Sequence, residues 1–242
     1  ILGIALIFSR FYRKVQHGQA IVRNGYGGPM VKFDGMIVFP VLHKIELMDI
    51  SVKRVEIARQ GKDGLICMDN IRADIKVVFF VRVNKSSDDV LRVAQSIGCE
   101  RASNAEMIRM LFDAKFSEAL KTVGKRFDFV QLYNERNTFK DEILKVIGTD
   151  LNGYSLDDCA IDYLEQTQLE YLDPDNILDA EGIKKITELT ATQAKLSNNI
   201  QRDKEKVLKQ QDVQAKEVIL ELERQLAETE AKQKRDVDTV QA

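Results

Sequence analysis

Alternation of apolar and polar residues marks the strongest strand signal in the chain, between Ile71 and Val83. A period of two places one set of side chains on one face, as is typical of a half-buried strand. The predicted core face consists of Ile71, Ala73, Ile75, Val77, Phe79, Val81 and Val83. Val78 and Phe80 interrupt the polar face opposite, which indicates that a helix or a neighbouring subunit covers that face locally.

Shorter apolar segments, separated by turn residues, precede this strand. Gln19–Arg23 predicts a strand that ends in a glycine-rich turn, and Lys44–Ile57 predicts one or two more. Between Met30–Phe33 and Met36–Phe39, the pair Asp34-Gly35 has the composition of a two-residue hairpin turn. These segments together predict a region of mostly antiparallel pairing.

Apolar residues change to helical spacing after Ser86. Ser87 is predicted to cap one helix, Ser103 with Glu106 a second, and Asp128 to open a third. Tyr154–Glu165 returns to alternation and predicts a strand that rejoins the sheet. Residues 15–172 are therefore predicted to form one small α+β domain.

Residues 173–242 change in character and predict a long helix. From Asn176 onward the chain has no proline, one glycine, and many Glu, Lys, Gln, Ala and Leu residues. Apolar positions recur every eleven residues, which predicts a nearly straight or slightly right-handed coiled-coil seam. We expect many such helices to pack side by side into a wall. The predicted seam is Leu196, Ile200, Val207, Ala215, Val218, Leu222, Leu226, Val237 and Val240. A single solvated helix is the alternative, and it stays open.

The chain opens with an apolar run that basic residues follow at once. The run is shorter than the roughly 20 apolar residues of a spanning helix, so it is interpreted as the end of a longer segment. Positive charge after such a segment marks the cytoplasmic side. Residues 1–14 therefore predict the end of a single N-terminal transmembrane segment, with the rest of the chain in the cytoplasm; a short core helix is the alternative. The predicted anchor residues are Ile1, Leu2, Ile4, Leu6, Ile7, Phe8, Arg10, Phe11, Arg13 and Lys14.

Composition narrows the function classes. The 36 basic and 38 acidic residues nearly cancel, to a net charge of −2, which argues against a nucleic-acid-binding protein. Cys67, Cys99 and Cys159 lack C-x-x-C spacing, so neither a disulfide framework nor a zinc site is predicted. His17 and His43 have no Cys or carboxylate at ligand spacing. No catalytic residue, metal site or cofactor is predicted, and the chain is interpreted as non-enzymatic.

Two further motifs favour local structure over ligand binding. The run from Gly25 to Pro29 lacks the Gly-Lys-Ser/Thr of a phosphate-binding loop and predicts a turn. Asp173, Asp175 and Asp179 lack the spacing of a calcium loop. We expect Asp173 or Asp175 to cap the long helix.

The order of these elements resembles the stomatin–prohibitin–flotillin group (SPFH, band 7). The residues that carry the resemblance are Gln19-Ala20-Ile21-Val22-Arg23, Gly27-Gly28, Ile37-Val38-Phe39-Pro40, the strand Arg72–Val83, and Asp179-Ala180-Glu181-Gly182. Within the group, the chain is most similar to bacterial flotillin-like inner-membrane proteins that have an N-terminal spanning helix. The chain is expected to continue beyond Ala242.

The resemblance implies a large homo-oligomer, a ring or cage on the cell inner membrane that organises a membrane microdomain. It also implies membrane lipids and a small NfeD-type membrane protein as partners. Eukaryotic flotillins are acylated on cysteines, and this is not carried over because the three cysteines lie far from the anchor. The alternative function is a regulatory adaptor that sequesters a membrane protease or another membrane enzyme.

Overall fold

The computed structural model describes residues 11–148 and 150–240, without the side chains of 150 and of 232–240. The chain divides into two compact units, residues 1–185 and 186–242. The first unit is an α+β domain, as predicted, and the second continues one long helix.

The described residues form short strands, five short to medium helices and one very long helix. The strands are β1 (Tyr12–Lys14), β2 (Gln19–Gly25), β3 (Met30–Lys32), β4 (Gly35–Ile37), β5 (His43–Asp49), β6 (Lys53–Arg59), β7 (Leu65–Ile66), β8 (Arg72–Val83), β9 (Asp150–Leu151) and β10 (Tyr154–Gln166). The helices are α1 (Ser87–Ser96), α2 (Cys99–Ser103), α3 (Ala105–Gly124), α4 (Phe129–Asn134), α5 (Arg136–Ile147) and α6 (Ile177–Val240). Single 3₁₀ turns lie at Gly61–Asp63 and Leu169–Tyr171.

The main sheet is built around β8. Its strand order is β6-β8-β10-β9, with β7 also paired to β8, and each of these pairings is antiparallel. Between Ile75 and Val81, β8 is paired to β6 on one side and to β10 on the other. Every residue of the predicted core face of this strand is buried, so that prediction is confirmed.

Helices α3 and α5 pack against the inner face of this sheet. Phe116 of α3 stacks on Phe79 of β8, with 4.3 Å between ring centroids. Phe112 meets Tyr154 edge to face at 5.2 Å. Each such buried aromatic pair adds about 0.5–1.5 kcal/mol beyond its area burial. This aromatic layer ties the helical face to the two central strands.

The Asp34-Gly35 hairpin prediction is wrong. β3 pairs with β2 in the sheet β3-β2-β5, whereas β4 pairs with β1. The cause is close packing: a Cβ at Gly35 would lie 2.8 Å from the carbonyl oxygen of Arg13. The glycine therefore admits β1 beside β4 and does not serve a tight hairpin turn.

The fold class that includes an N-terminal transmembrane segment is contradicted. Among residues 11–148 and 150–240, no helix is both long enough and apolar enough to cross a membrane. Of the predicted anchor residues, Arg13 and Lys14 lie in strand β1, and the carbonyl oxygen of Phe11 accepts a hydrogen bond from Val38 at 2.8 Å. The backbone groups of Arg13 and Lys14 pair with β4, and their charged side chains are tolerated because they are exposed. Ile1, Leu2, Ile4, Leu6, Ile7, Phe8 and Arg10 lie outside the described residues.

The coiled coil in the predicted fold class also needs correction. The structure has one continuous helix of 64 residues, α6, in its place. A coiled coil is a relation between helices, and one chain supplies one of them. The eleven-residue repeat is equally compatible with a single straight helix, so the sequence could not separate the two.

Helix starts differ from the predictions by one to three residues. Asn104, not Ser103, caps α3: its side-chain oxygen accepts from the backbone N–H of Glu106 at 2.9 Å. Asn176, not Asp173 or Asp175, caps α6, accepting from Leu178 N–H at 3.0 Å. The predicted third helix is two helices, α4 and α5, because Glu135 between them leaves helical geometry.

Candidate functional site

The three thiols are enclosed in the domain core. Burial raises the pKa of Cys67 and of Cys99 to about 12, and that of Cys159 to about 11. A thiol with so high a pKa is protonated at neutral pH and is a poor nucleophile. The cysteines therefore act as packing residues. Within the described part of the chain, no group of three or more His, Cys, Asp or Glu side chains is placed to hold a metal ion.

His43 has a structural role at the start of β5. Its Nδ1 accepts a hydrogen bond from Phe39 N–H at 3.3 Å, and its Nε2 lies 3.2 Å from the carbonyl oxygen of Tyr26. With Nδ1 as acceptor, Nε2 carries the proton and donates to Tyr26. The imidazole thus holds two loops together, the one after β2 and the one after β4.

These two loops display four apolar or aromatic side chains, which together form the apolar tip: Tyr26, Phe39, Val41 and Leu42. Val41 is 95% exposed and Tyr26 is 80% exposed, while Phe39 and Leu42 are each exposed over about half their surface. The turn is hydrogen-bonded, since Leu42 and His43 both donate backbone N–H groups to the carbonyl oxygen of Phe39. The ring of Phe39 also contacts that of Phe11, with 5.4 Å between centroids. An ordered loop that holds apolar side chains in water marks an interaction surface.

The apolar tip adjoins the start of the described chain. β4, which leads into the loop that carries Phe39, pairs with β1. The most apolar stretch of the sequence, Ile1 to Phe8, immediately precedes this strand pair in the chain. Met36–Phe39 was predicted only as a segment beside the Asp34-Gly35 turn, and the tip was not predicted. Its signal was the apolar run Val38–Leu42 interrupted only by proline.

A buried ion pair anchors the start of α6 in the domain. The Arg72 Nη2 and the Asp179 Oδ1 are 2.7 Å apart, and the two side chains are only 10% and 6% exposed. The same guanidinium also donates to the carbonyl oxygens of Lys62 and Gly64. The second carboxylate oxygen of Asp179 accepts from Asp173 N–H at 3.2 Å. Each nitrogen of the guanidinium and each oxygen of the carboxylate therefore has a hydrogen-bond partner, which offsets the desolvation of both charges.

The predicted seam lies on the exposed surface of α6. Six of its residues are more than half exposed in the single chain, and Ala215 is also exposed: the six are Leu196, Ile200, Val207, Val218, Leu222 and Leu226. The side chains of Val237 and Val240 lie outside the described part of the helix. Whether the seam joins helices is not tested by a single copy, so it stays a prediction.

A second set of apolar residues on α6 was missed by the sequence analysis. Ile219 and Leu220 directly follow the seam residue Val218, and both are more than half exposed. Because successive helical residues are about 100° apart, Leu220 lies on the far side of the helix from Val218. Val213 is also exposed on that side. These apolar residues are visible in the sequence, but they lie outside the eleven-residue repeat. We call Val213 and Leu220 the back face.

These features define a class of protein by its fold: an α+β domain with an exposed apolar tip, followed by a long helix with exposed apolar side chains. The particular family follows from its sequence. The chain belongs to the SPFH domain / Band 7 family, whose sequence profile matches residues 3–233. Membership in this family indicates a membrane-associated scaffold role, and it confirms the resemblance drawn from the sequence.

Two relatives extend this result. The chain is 34% identical over 227 residues to the flotillin family inner membrane protein YqiK of Escherichia coli, covering 93% of this chain and 41% of that protein. It is 22% identical over 231 residues to the flotillin family inner membrane protein sll1021 of Synechocystis, covering 93% of this chain and 34% of that protein. The chain thus spans less than half the length of these curated relatives.

Proposed function

We propose that this chain is a non-catalytic, membrane-associated scaffold subunit. In this proposal its copies assemble through α6 into a closed ring or cage that organises a patch of the inner membrane. The observation that carries the proposal is the exposed apolar seam on a 64-residue helix.

The energetics of α6 favour lateral assembly. Burial of one Leu or Val side chain contributes about 1.5–3 kcal/mol relative to full exposure. Because six seam residues are more than half exposed, a neighbouring helix has several such contributions to gain. The long side chains that flank the seam, such as Glu221, Arg224 and Glu228, can form ion pairs at the edges of the contact.

Two faces on one helix support a wall of many copies over a simple pair. In a wall, each helix contacts one neighbour through the seam and the other through a different surface, and the back face supplies that surface. A repeated head-to-tail contact of this kind closes into a ring when the rotation between subunits permits. A closed ring is therefore the proposed assembly.

The apolar tip is the proposed membrane contact. Aromatic side chains such as Tyr26 and Phe39 favour the boundary between lipid headgroups and acyl chains, and Val41 and Leu42 favour the acyl region. The names of both relatives, flotillin family inner membrane proteins, support a lipid occupant for this surface. A small NfeD-type membrane protein, which the family resemblance implies, is proposed as a neighbour in the same membrane.

The test is the size and shape of particles formed by the full-length protein in mild detergent, seen by electron microscopy and analytical ultracentrifugation. Closed particles of many copies are expected. Leu222→Asp together with Leu226→Asp should dissociate them, whereas Gln210→Asp, at an exposed position of the same helix away from the seam, should not. If the unaltered protein is monomeric in several detergents, the scaffold proposal is wrong. A membrane protease that co-purifies in fixed ratio would instead favour the adaptor function.

A further inference from the structure

An open pocket of about 310 Å³ lies where the loop between β6 and β7 meets the end of α3. Lys62 and Asp63 border it from the loop, Lys121 and Lys125 from the helix end, and Arg72 and Ile66 from the strands. The volume is near the lower limit of the roughly 300–1,000 Å³ typical of small-molecule sites. The pocket therefore suits a small ligand.

The lysines of this pocket are cations without a carboxylate partner. Across the described residues, Lys62, Lys121 and Lys125 take part in no ion pair, unlike Lys76, which lies between Glu56 and Asp162 at 2.7 and 3.3 Å. Lys125 Nζ donates to the carbonyl oxygen of Cys67 and to Asn70 Oδ1 at 3.2 and 3.1 Å. An ammonium group has three donors, so one remains for a ligand.

Arg72 does not add to this free positive charge, because Asp179 neutralises it at 2.7 Å. Its role is structural, because its guanidinium donates hydrogen bonds to carbonyl oxygens of the loop that carries Lys62. The three lysines and Asp63 together leave two positive charges in excess at the pocket.

The helix terminus alone does not account for these lysines. The C-terminal end of a helix attracts cations, which explains Lys121 and Lys125 near the end of α3. Lys62 belongs to a different element, the 3₁₀ turn after β6. Bringing a third ammonium group to the same pocket adds repulsion, which a bound anion would offset.

We propose that this pocket binds the dianion of a phosphate monoester. The excess of two positive charges matches a dianion, and ammonium groups from two elements can reach separate phosphate oxygens. Ile66 adds an apolar wall for the carbon portion of the ester. The phosphate can belong to a soluble molecule or to a lipid headgroup, which share this chemistry. The inference is independent of the scaffold proposal.

The test is a titration of the full-length protein with inorganic phosphate and with glycerol 3-phosphate, followed by calorimetry and by ³¹P line broadening. Saturable binding is expected. Lys62→Gln and Lys121→Gln should each weaken it about tenfold, as expected for the loss of one charge-assisted contact. Lys115→Gln is the matched control, because Lys115 is an exposed lysine of the same helix that does not border the pocket.

A parallel titration with phosphatidic acid vesicles identifies the source of the phosphate. Phosphatidylcholine vesicles serve as the reference for binding. Preference for phosphatidic acid that is lost in Lys62→Gln and kept in Lys115→Gln supports a lipid headgroup. Saturable binding of inorganic phosphate or glycerol 3-phosphate that Lys62→Gln weakens and Lys115→Gln does not supports a soluble ligand. The proposal fails if all three variants weaken binding equally, or if neither source binds at about 10 mM. Circular dichroism at each variant's working temperature verifies that the fold is kept.

Discussion

Gly182 of α6 lies directly against the backbone of Asn70: a Cβ at position 182 would be 2.5 Å from the carbonyl oxygen of Asn70. Asn70 itself has a left-handed φ of 61°, and its side-chain amide donates to Glu181 at 2.6 Å. The helix therefore begins in backbone-to-backbone contact with the turn before β8. Only glycine permits an approach this close.

Gly182→Ala should destabilise the domain by about 1 kcal/mol. Alanine gains up to about 1 kcal/mol of helix propensity, but the clash with a backbone atom costs about 1–3 kcal/mol. The free energy of unfolding in urea measures the net effect. Thr190→Ala, an exposed position of α6, controls for propensity and should be neutral or slightly stabilising. A more stable Gly182→Ala protein would contradict the contact.

Asp179→Asn should cost about 3 kcal/mol of unfolding free energy, since it leaves the Arg72 guanidinium buried without its counter-charge. Asp157→Asn removes the partner of Arg82 in an ion pair whose side chains are 42% and 32% exposed, and should cost at most about 1 kcal/mol. Urea denaturation of both variants compares them directly. The double replacement of Arg72→Met and Asp179→Leu should be less destabilising than the single Asp179→Asn. Equal costs for Asp179→Asn and Asp157→Asn would show that the buried pair does not anchor α6.

Val41→Asp with Leu42→Asp should weaken binding to lipid vesicles at least tenfold. Each removes an apolar side chain worth about 1.5–3 kcal/mol on burial, and about 1.4 kcal/mol corresponds to a factor of ten. Vesicle co-sedimentation measures the effect. Val52→Asp replaces a half-exposed valine outside the tip and should leave binding unchanged. If Val52→Asp has the same effect, general charge and not the tip controls binding.

The two faces of α6 should be complementary. If the seam of one copy meets the back face of the next, Leu220→Asp should disperse particles as fully as Leu222→Asp with Leu226→Asp. A mixture of the two variants retains one intact seam and one intact back face, so dimers should form. Analytical ultracentrifugation of each variant and of the mixture distinguishes this from a symmetric contact. Dimers from Leu220→Asp alone, which keeps the seam intact, would show that seam pairs with seam.

Stability should fall as pH rises above about 9. Burial raises the pKa of Cys67 from an ordinary 9.0 to about 12, and that of Tyr154 from 10.0 to about 12. Below the ordinary values both states hold the proton, so the full stability is present. Above them only the unfolded state loses it, and stability falls by up to about 1.4 kcal/mol per pH unit for each group.

Urea midpoints at pH 8, 9 and 10, under reducing conditions, measure this slope. A variant with all three cysteines replaced by alanine should start from a lower stability but lose less of it between pH 9 and 10, because only Tyr154 remains of these groups. Parallel slopes for the two proteins would assign the alkaline loss to other residues.

The central strands were predictable because their burial repeats locally. The alternation from Ile71 to Val83 follows from β8 having one face on the helical layer, and that periodicity is written in consecutive residues. The 64-residue helix was predictable for the same reason, from composition and period. The transmembrane segment, in contrast, was inferred mostly from residues that lie outside the described chain. The coiled coil was inferred from a period that a single straight helix also satisfies.

Long-range relations escaped the sequence analysis. The alternation places Arg72 on the polar face of its strand. In the structure it is buried and paired with Asp179, more than a hundred positions later in the chain. Gly35 read as a hairpin residue because the approach of β1 cannot be seen locally. The apolar tip also depends on tertiary structure, since Tyr26 and Leu42 meet only when β2 and β5 pair. Such features require the register of the sheets.

The position of β8 gives the protein an internal reference for amide hydrogen exchange. Its amides between Ile75 and Val81 are enclosed by ladders on both sides, so they exchange only when the sheet opens and report the stability of the domain. The amides of α6 beyond residue 186 belong to a helix whose side chains are largely solvated, and they exchange by local fraying. Protection that appears in α6 while that of β8 stays constant would therefore record contact between helices, separately from any change in the fold.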